Sequence, residues 1–77
     1  MTSVEQTLGQ KRVRAAFNPS NDSIVDLIKE KAADLIDLCD SHMAGSTSGE
    51  ERRLWALAMT HIEDAAMWAV KAATIAK

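Results

Sequence analysis

The 77-residue sequence predicts an all-α fold, an antiparallel two-helix hairpin preceded by a short N-terminal arm. Two long segments, about residues 20–44 and about residues 50–75, carry apolar side chains at helical spacing and contain no glycine or proline. The residues between them, GSTSG at 45–49, are typical of a tight connection. We therefore divide the chain into an arm at residues 1–18 and a helical hairpin at residues 19–77.

The arm and the first helix are distinguished by periodicity and capping signals. Residues 1–10 show no helical period, and we expect them to be flexible. Pro19 suits the first turn of a helix, and Ser23 with Asp26 resembles a capping box, so helix one is expected to begin near residues 19–23. Gly45 is placed to end it. One arc of helix one is predicted to be apolar: Ile24, Leu27, Ile28, Ala32, Leu35, Leu38 and Cys39. The opposite arc is acidic: Asp26, Glu30, Asp34, Asp37 and Asp40.

The second helix is apolar over more than half of its circumference. Glu50 and Glu51 suit its first turn, where a negative charge opposes the helix dipole. Its main apolar stripe is Leu54, Leu57, Ala58, Ala65, Trp68, Ala69, Ala72 and Ile75. The stripe is widened by Trp55, Met59, Ile62, Ala66, Val70 and Ala73. One partner helix covers only one side, so we expect hairpins to assemble into a helical homo-oligomer. The alternative is a monomer whose arm folds back over the hairpin.

Composition excludes several classes of protein. The single cysteine, Cys39, rules out an internal disulfide, and with only two histidines no metal-ligand spacing is present. No apolar run is long enough for a membrane span, and the first thirty residues lack a signal-peptide core, so a cytoplasmic location is expected. The net charge of −2 disfavours a general nucleic-acid binder.

The side chains that could take part in catalysis do not form a recognisable catalytic arrangement. His42 and His61 project onto the apolar arcs, where we interpret them as hydrogen-bonded interior side chains, and Cys39 is interpreted as a small buried hydrophobe. No nucleophile stands at a recognisable spacing from either histidine. We therefore predict no catalytic residue, no metal, no cofactor and no enzymatic activity.

Lys31 is anomalous because it projects near the centre of the apolar arc of helix one. Either its methylene stem packs while the ammonium reaches water, or the ammonium is held at a subunit seam to meet an anion.

Phe17 follows a basic cluster of Lys11, Arg12 and Arg14, and it is either a hydrophobic staple onto helix one or a stacking surface for a base. Arg53, Thr60, Asp64 and Lys71 form a polar stripe on helix two. That stripe is either a solvated face or the lining of a pocket inside an oligomer.

Three stretches together resemble a known family: residues 17–20 (FNPS), 25–29 (VDLIK) and 58–72 (AMTHIEDAAMWAVKA). They are similar to the small phage-encoded hairpin proteins that counter cyclic-oligonucleotide-based host defence (CBASS). The resemblance covers about residues 11–75. It implies a sponge that binds the second messenger and keeps it intact. It also implies a homohexamer, with cyclic dinucleotides at subunit interfaces and cyclic trinucleotides in separate pockets near threefold axes.

The resemblance also implies binding residues. In the dinucleotide pocket Phe17 would stack on a base, and a lysine of helix one would meet a phosphate. The position of the family motif favours Lys29 as this lysine, whereas the projection near the centre of the apolar arc favours Lys31. A member of the family has tyrosine where this chain has Phe17, so a hydroxyl contact would be absent. The nearest matches for the trinucleotide pocket are Asn18, Arg53 and Thr60.

The predicted function is therefore non-catalytic sequestration of cyclic oligonucleotide second messengers in the cytoplasm of an infected host cell. The expected partners are cyclic di- and trinucleotides and further copies of the chain, with no membrane and no stable DNA or RNA binding. Two alternatives remain: a small oligomeric adaptor that binds a host protein, and a weak nucleic-acid binder acting through the basic arm.

Overall fold

Three helices account for most of the chain described by the computed structural model, which covers residues 6–13 and 23–75. Helix α1 spans Leu8–Val13, α2 spans Ser23–Ala44 and α3 spans Gly49–Thr74. Neither described segment contains a strand. The predicted all-α class and the helical hairpin are confirmed. No helix in these two segments is both long and apolar enough to cross a membrane.

Helices α2 and α3 pack side by side in opposite directions. Next to the turn, the rings of His42 and Trp55 are stacked with their centroids 5.5 Å apart. Further from the turn, Ile36 and Cys39 pack with Met59 in the central cluster of the core. Residues progressively earlier in α2 therefore meet residues progressively later in α3, which is the antiparallel arrangement.

The side of α2 that is buried within the chain differs from the predicted apolar arc. Its buried residues are Val25, Ala33, Ile36 and Cys39, of which only Cys39 belongs to that arc. Ile28 is half-buried, and four other large members of the arc remain exposed. We name these four the α2 row: Ile24, Leu27, Leu35 and Leu38. The hairpin core lies about a quarter turn around the helix from the centre of the arc, because Ile36 rather than Leu35 meets α3.

Helix α3 is likewise buried on a different side from its predicted main apolar stripe. Its buried residues are Met59 and Ala66, with Trp55 and Ile62 partly buried beside them. These side chains belong to the part that was predicted only to widen the stripe. Members of the main stripe stay exposed, and we name them the α3 row: Leu54, Leu57, Trp68 and Ile75. The hairpin therefore leaves one apolar row on each long helix uncovered.

Local hydrogen bonds define the turn. Helix α2 ends at Ala44, and the Gly45 N–H donates to the His42 carbonyl oxygen at 3.1 Å. Ser48 is the N-cap of α3, and its hydroxyl oxygen accepts from the Glu51 N–H at 3.0 Å. An N-cap hydroxyl satisfies a backbone donor that has no partner within the helix. The short connection is therefore stabilised by its own polar side chains.

The structure differs from the expectation of a flexible arm, because α1 is helical and packs mainly on α2. A reciprocal capping box begins it: the Gln10 N–H donates to the Thr7 hydroxyl at 3.1 Å, and the Thr7 N–H donates to the Gln10 side-chain oxygen at 2.9 Å. The Gly9 N–H donates to Asp37 Oδ1 at 2.7 Å. A predicted member of the acidic solvent face is thus an anchor for α1.

Candidate functional site

A cavity of about 490 Å³ lies where the three helices meet. Helix α1 contributes Arg12 and Val13, and α2 contributes Lys29. The wall formed by α3 consists of Glu63, Ala66, Met67 and Val70. Two cationic groups, one carboxylate and an apolar wall thus share one space, a combination that suits an anion carrying a flat apolar part.

The position of α1 over this cavity depends on a glycine. A β-carbon on Gly9 would lie 2.8 Å from the Ala33 α-carbon and would overlap the Ala33 carbonyl group. Only glycine allows this close approach of two helix backbones without displacement. The approach brings the Gly9 N–H to Asp37 and holds the next turn of α1, with Arg12, at the edge of α3.

Arg12 is tied to α3 by an ion pair. Its Nε donates to Glu63 Oε1 at 2.8 Å, and the side chains are 25% and 39% exposed, respectively. Partial burial weakens screening by water and strengthens a charge-assisted hydrogen bond relative to one on an open surface. Among the described residues of the lining, Lys29 is the second cation beside this ion pair.

The two candidate lysines occupy different surroundings. Lys29 is half-buried and lines the cavity. Lys31 is exposed and is not among the residues lining it. By helical geometry Lys31 projects in the same direction as Leu27, Leu35 and Leu38, all members of the α2 row.

The helix-two candidates lie on the exposed surface of α3. Arg53 forms two hydrogen bonds with the Glu50 carboxylate, at 3.1 and 2.8 Å. These bonds raise the pKa of Arg53 and lower the pKa of Glu50. The Thr60 hydroxyl donates to the Ala56 carbonyl oxygen at 3.2 Å. Neither Arg53 nor Thr60 lines the three-helix cavity.

The aromatic and amide candidates, Phe17 and Asn18, lie outside the described residues. They belong to the segment that connects Val13, which lines the cavity, to Ser23 at the start of α2.

Comparison with known proteins identifies the family. The family model for the Acb2/Tad1 hairpin domain matches residues 9–74, which is most of the chain and begins at Gly9. The chain belongs to the Acb2/Tad1 hairpin family. No curated protein and no solved structure gives a significant match.

The Acb2/Tad1 hairpin family is the family of anti-CBASS cyclic-nucleotide sponges, and the predicted resemblance is confirmed at this level. It is a family of binding proteins rather than enzymes, and membership implies sequestration of cyclic oligonucleotides. A cavity lined by Arg12, Lys29 and apolar side chains is consistent with this chemistry, because cyclic oligonucleotides carry one negative charge on each phosphodiester and a flat base beside it.

The two histidines are not buried within the single chain. His42 and His61 are both exposed in the chain, although the sequence predicted hydrogen-bonded interior positions. They project away from the core because the hairpin packs through a different side of each helix than the predicted arcs. Cys39 is buried, as predicted. In the part of the chain that the structure describes, no group of His, Cys, Asp and Glu side chains is placed to hold a metal ion.

Sequence reasoning missed Arg12 and Glu63 as members of the same site. Arg12 was considered only as part of a basic cluster for nucleic acid, and Glu63 only as a residue in the family-like stretch. The signal that was available is the capping box of Thr7 and Gln10, which predicts a helix that includes Arg12. The pairing with Glu63 depends on tertiary packing and has no local signature.

Proposed function

We propose that the chain sequesters cyclic oligonucleotide second messengers without hydrolysing them, and so blocks antiphage signalling in the cytoplasm of an infected host cell. Membership of the Acb2/Tad1 hairpin family is the observation that carries this proposal. A sponge needs a preformed cavity with cationic and apolar surfaces, and it needs neither a general acid nor a general base.

We place a cyclic dinucleotide at a subunit interface that includes the three-helix cavity. Lys29 is the lysine that meets a phosphate, because it lines this cavity together with Arg12. The side chains of Met67 and Val70 offer an apolar surface for a base or ribose. Phe17 supplies the stacking ring from the segment that follows Val13.

Self-association completes the proposal. The α2 row and the α3 row leave large apolar side chains uncovered, with Leu35 47% exposed and Trp68 62% exposed. Soluble monomers rarely leave extended apolar surface open to water. Further copies of the chain cover these rows, with a homohexamer as the expected assembly. Lys31 lies among the leucines of the α2 row and therefore faces a subunit seam.

A second type of pocket is proposed for cyclic trinucleotides. Arg53 and Thr60 lie seven residues apart, two turns of α3, so both project from the same exposed side of the helix. With Asn18 they form a polar set that other subunits complete into a closed pocket. The Glu50 carboxylate is bound to Arg53 in the single chain and must share that guanidinium with the ligand.

Isothermal titration calorimetry of the full chain with cyclic di-AMP, cyclic di-GMP, cyclic GMP–AMP and cyclic tri-AMP tests the proposal. We expect at least one ligand to bind, and heat denaturation should release that ligand intact, as judged by mass spectrometry. No binding to any member of the panel, or release of hydrolysed nucleotide, would refute sequestration.

Two matched variants locate the phosphate contact. Lys29→Gln and Lys31→Gln each remove one charge from α2. We expect Lys29→Gln to weaken dinucleotide binding at least about tenfold, because a charge-assisted hydrogen bond to phosphate is lost. Lys31→Gln should change this affinity less and should alter assembly instead. The reverse ranking would move the dinucleotide site from the three-helix cavity to the α2 row.

A further inference from the structure

The Arg12–Glu63 ion pair is the described polar connection between α1 and α3, and it lies in the wall of the cavity. The contact of 2.8 Å uses one of the five N–H groups of the guanidinium, the one on Nε. A guanidinium can donate through Nε to one carboxylate oxygen and through its terminal nitrogens to a second acceptor at the same time. Arg12 therefore has the donor capacity to serve Glu63 and a ligand together.

The charges of the cavity and of the proposed ligand do not match while the ion pair is closed. A cyclic dinucleotide carries two phosphodiester groups, each with one negative charge. Among the described residues that line the cavity, Arg12 and Lys29 are the cations, and Arg12 is already paired with Glu63. A second phosphate entering the cavity therefore competes with the Glu63 carboxylate for the guanidinium, because the described residues add no third cation to the lining.

We infer that Arg12 is the second phosphate contact of the cavity and that Glu63 is its positioning partner, which holds the guanidinium in place in the empty site and shares it with phosphate in the loaded site. This inference rests on the proposed sequestration function and adds a residue to it. Arginine suits the role because its planar fork matches two oxygens of a phosphate. Its partial burial, with 25% of the side chain exposed, limits competition from water.

The backbone of α1 supports this role of Arg12. Gly9 is held to Asp37 by a hydrogen bond of 2.7 Å, one turn of helix before Arg12. The Thr7–Gln10 capping box stabilises the first turn of the same helix. Arg12 is therefore carried by a docked helix rather than by a free arm, and little conformational freedom is lost when it binds an anion.

Calorimetry on four full-length variants tests the inference, using whichever of cyclic di-AMP, cyclic di-GMP and cyclic GMP–AMP binds the unchanged protein most tightly. Arg12→Gln should weaken binding at least about tenfold. Arg12→Lys should recover part of that loss, because it keeps the charge without the fork. Lys11→Gln is the matched control, since Lys11 is the exposed neighbour on the same helix, and it should change affinity by less than about twofold.

Glu63→Gln separates a phosphate contact from a merely structural one. It removes the charge of the carboxylate, but the amide oxygen that replaces it can still accept from Arg12 Nε. The guanidinium therefore stays in the cavity, without the negative charge that opposes the ligand. We expect its affinity to equal that of the unchanged protein or to exceed it a few-fold. Thermal unfolding of Arg12→Gln and Glu63→Gln should shift by similar small amounts, because an exposed or partly exposed ion pair contributes little to stability.

The outcomes distinguish the two proposals. If Arg12→Gln binds the dinucleotide as tightly as the unchanged protein, the inference is overturned while sequestration stands. If Arg12→Gln and Glu63→Gln weaken binding equally, Arg12 acts only by holding α1, and the inference is again overturned. If the unchanged protein binds none of the three dinucleotides, dinucleotide sequestration fails and the inference fails with it.

Discussion

Gly9 lies against the backbone of Ala33, and a β-carbon on residue 9 would come within 2.8 Å of the Ala33 α-carbon. This contact is what allows a helix of six residues to dock on α2. Isolated helices of this length are not stable in water, so α1 depends on its capping box and on this packing. The cavity depends on it too, because α1 carries Arg12 and Val13 into the wall.

Gly9→Ala should therefore undock α1, although alanine is the better helix former. We expect a loss of about 1–3 kcal/mol in the free energy of unfolding, the usual range for overpacking, together with weaker ligand binding. Urea unfolding followed by circular dichroism measures the stability. Gly49→Ala is the matched control, because a β-carbon there meets no atom within 4 Å. Equal stability of the two variants would contradict the packing argument.

The N-cap of α3 gives a second prediction. Ser48→Ala removes the hydroxyl that accepts from the Glu51 N–H, and it should lower the free energy of unfolding by about 1 kcal/mol. Ser41→Ala serves as the control, since Ser41 lies inside α2, where its hydroxyl donates to the Leu38 carbonyl oxygen and alanine is favoured. Urea denaturation of both variants measures the free energy of unfolding. A greater loss in Ser41→Ala than in Ser48→Ala would contradict a stabilising N-cap at Ser48.

The pH dependence of stability follows from the first turn of α3. The indole N–H of Trp55 donates to the Glu51 carboxylate at 3.1 Å and, with the Thr47 backbone N–H, lowers the pKa of Glu51 below 4.5. A group whose folded pKa is lowered stabilises the fold at pH values above its unfolded pKa, and this contribution is lost as the pH falls through the folded pKa. We therefore expect stability to decline as the solution is acidified below about pH 4.5.

Carboxyl-detected NMR titration checks the cause of this shift. Trp55→Phe removes the indole donor, and the pKa of Glu51 should rise toward 4.5 while the ring still packs near Met59. The pKa of Glu50 should stay low in this variant, because its partner is Arg53. If the pKa of Glu51 does not change in Trp55→Phe, the hydrogen bond from the Thr47 backbone N–H, and not the indole, causes the lowered pKa.

Self-association is tested on the α2 row. Leu35→Lys places a charge within the exposed leucines and should dissociate the assembly, because burying an unpaired ammonium at a subunit contact is unfavourable. Glu30→Lys introduces the same residue on the acidic side of α2, where it is exposed, and should leave the assembly unchanged. Light scattering coupled to size exclusion measures the mass. A single-chain mass for the unchanged protein at low micromolar concentration would rule out the proposed oligomer.

The helical hairpin was predictable because two long periodic segments flank a GSTSG connection, and this pattern is local. Helix α1 was not recognised because a capping box on a six-residue segment is a weak signal against a background without periodicity. Lys29 was predicted as a site residue through the family resemblance, and the structure places it in the cavity. Its neighbours Arg12 and Glu63 are 51 residues apart in the chain, so no spacing rule brings them together.

The amino-acid sequence by itself determined the all-α class, the two long helices and the family, because helix propensity, capping residues and family-like motifs are properties of short stretches. Only the tertiary structure decided which side of each helix faces the core. Leu35 and Ile36 are neighbours in sequence, with similar hydropathy, and one is exposed while the other is fully buried. On helices apolar over so much of their circumference, the contacts between helices, and not hydropathy alone, select the buried side.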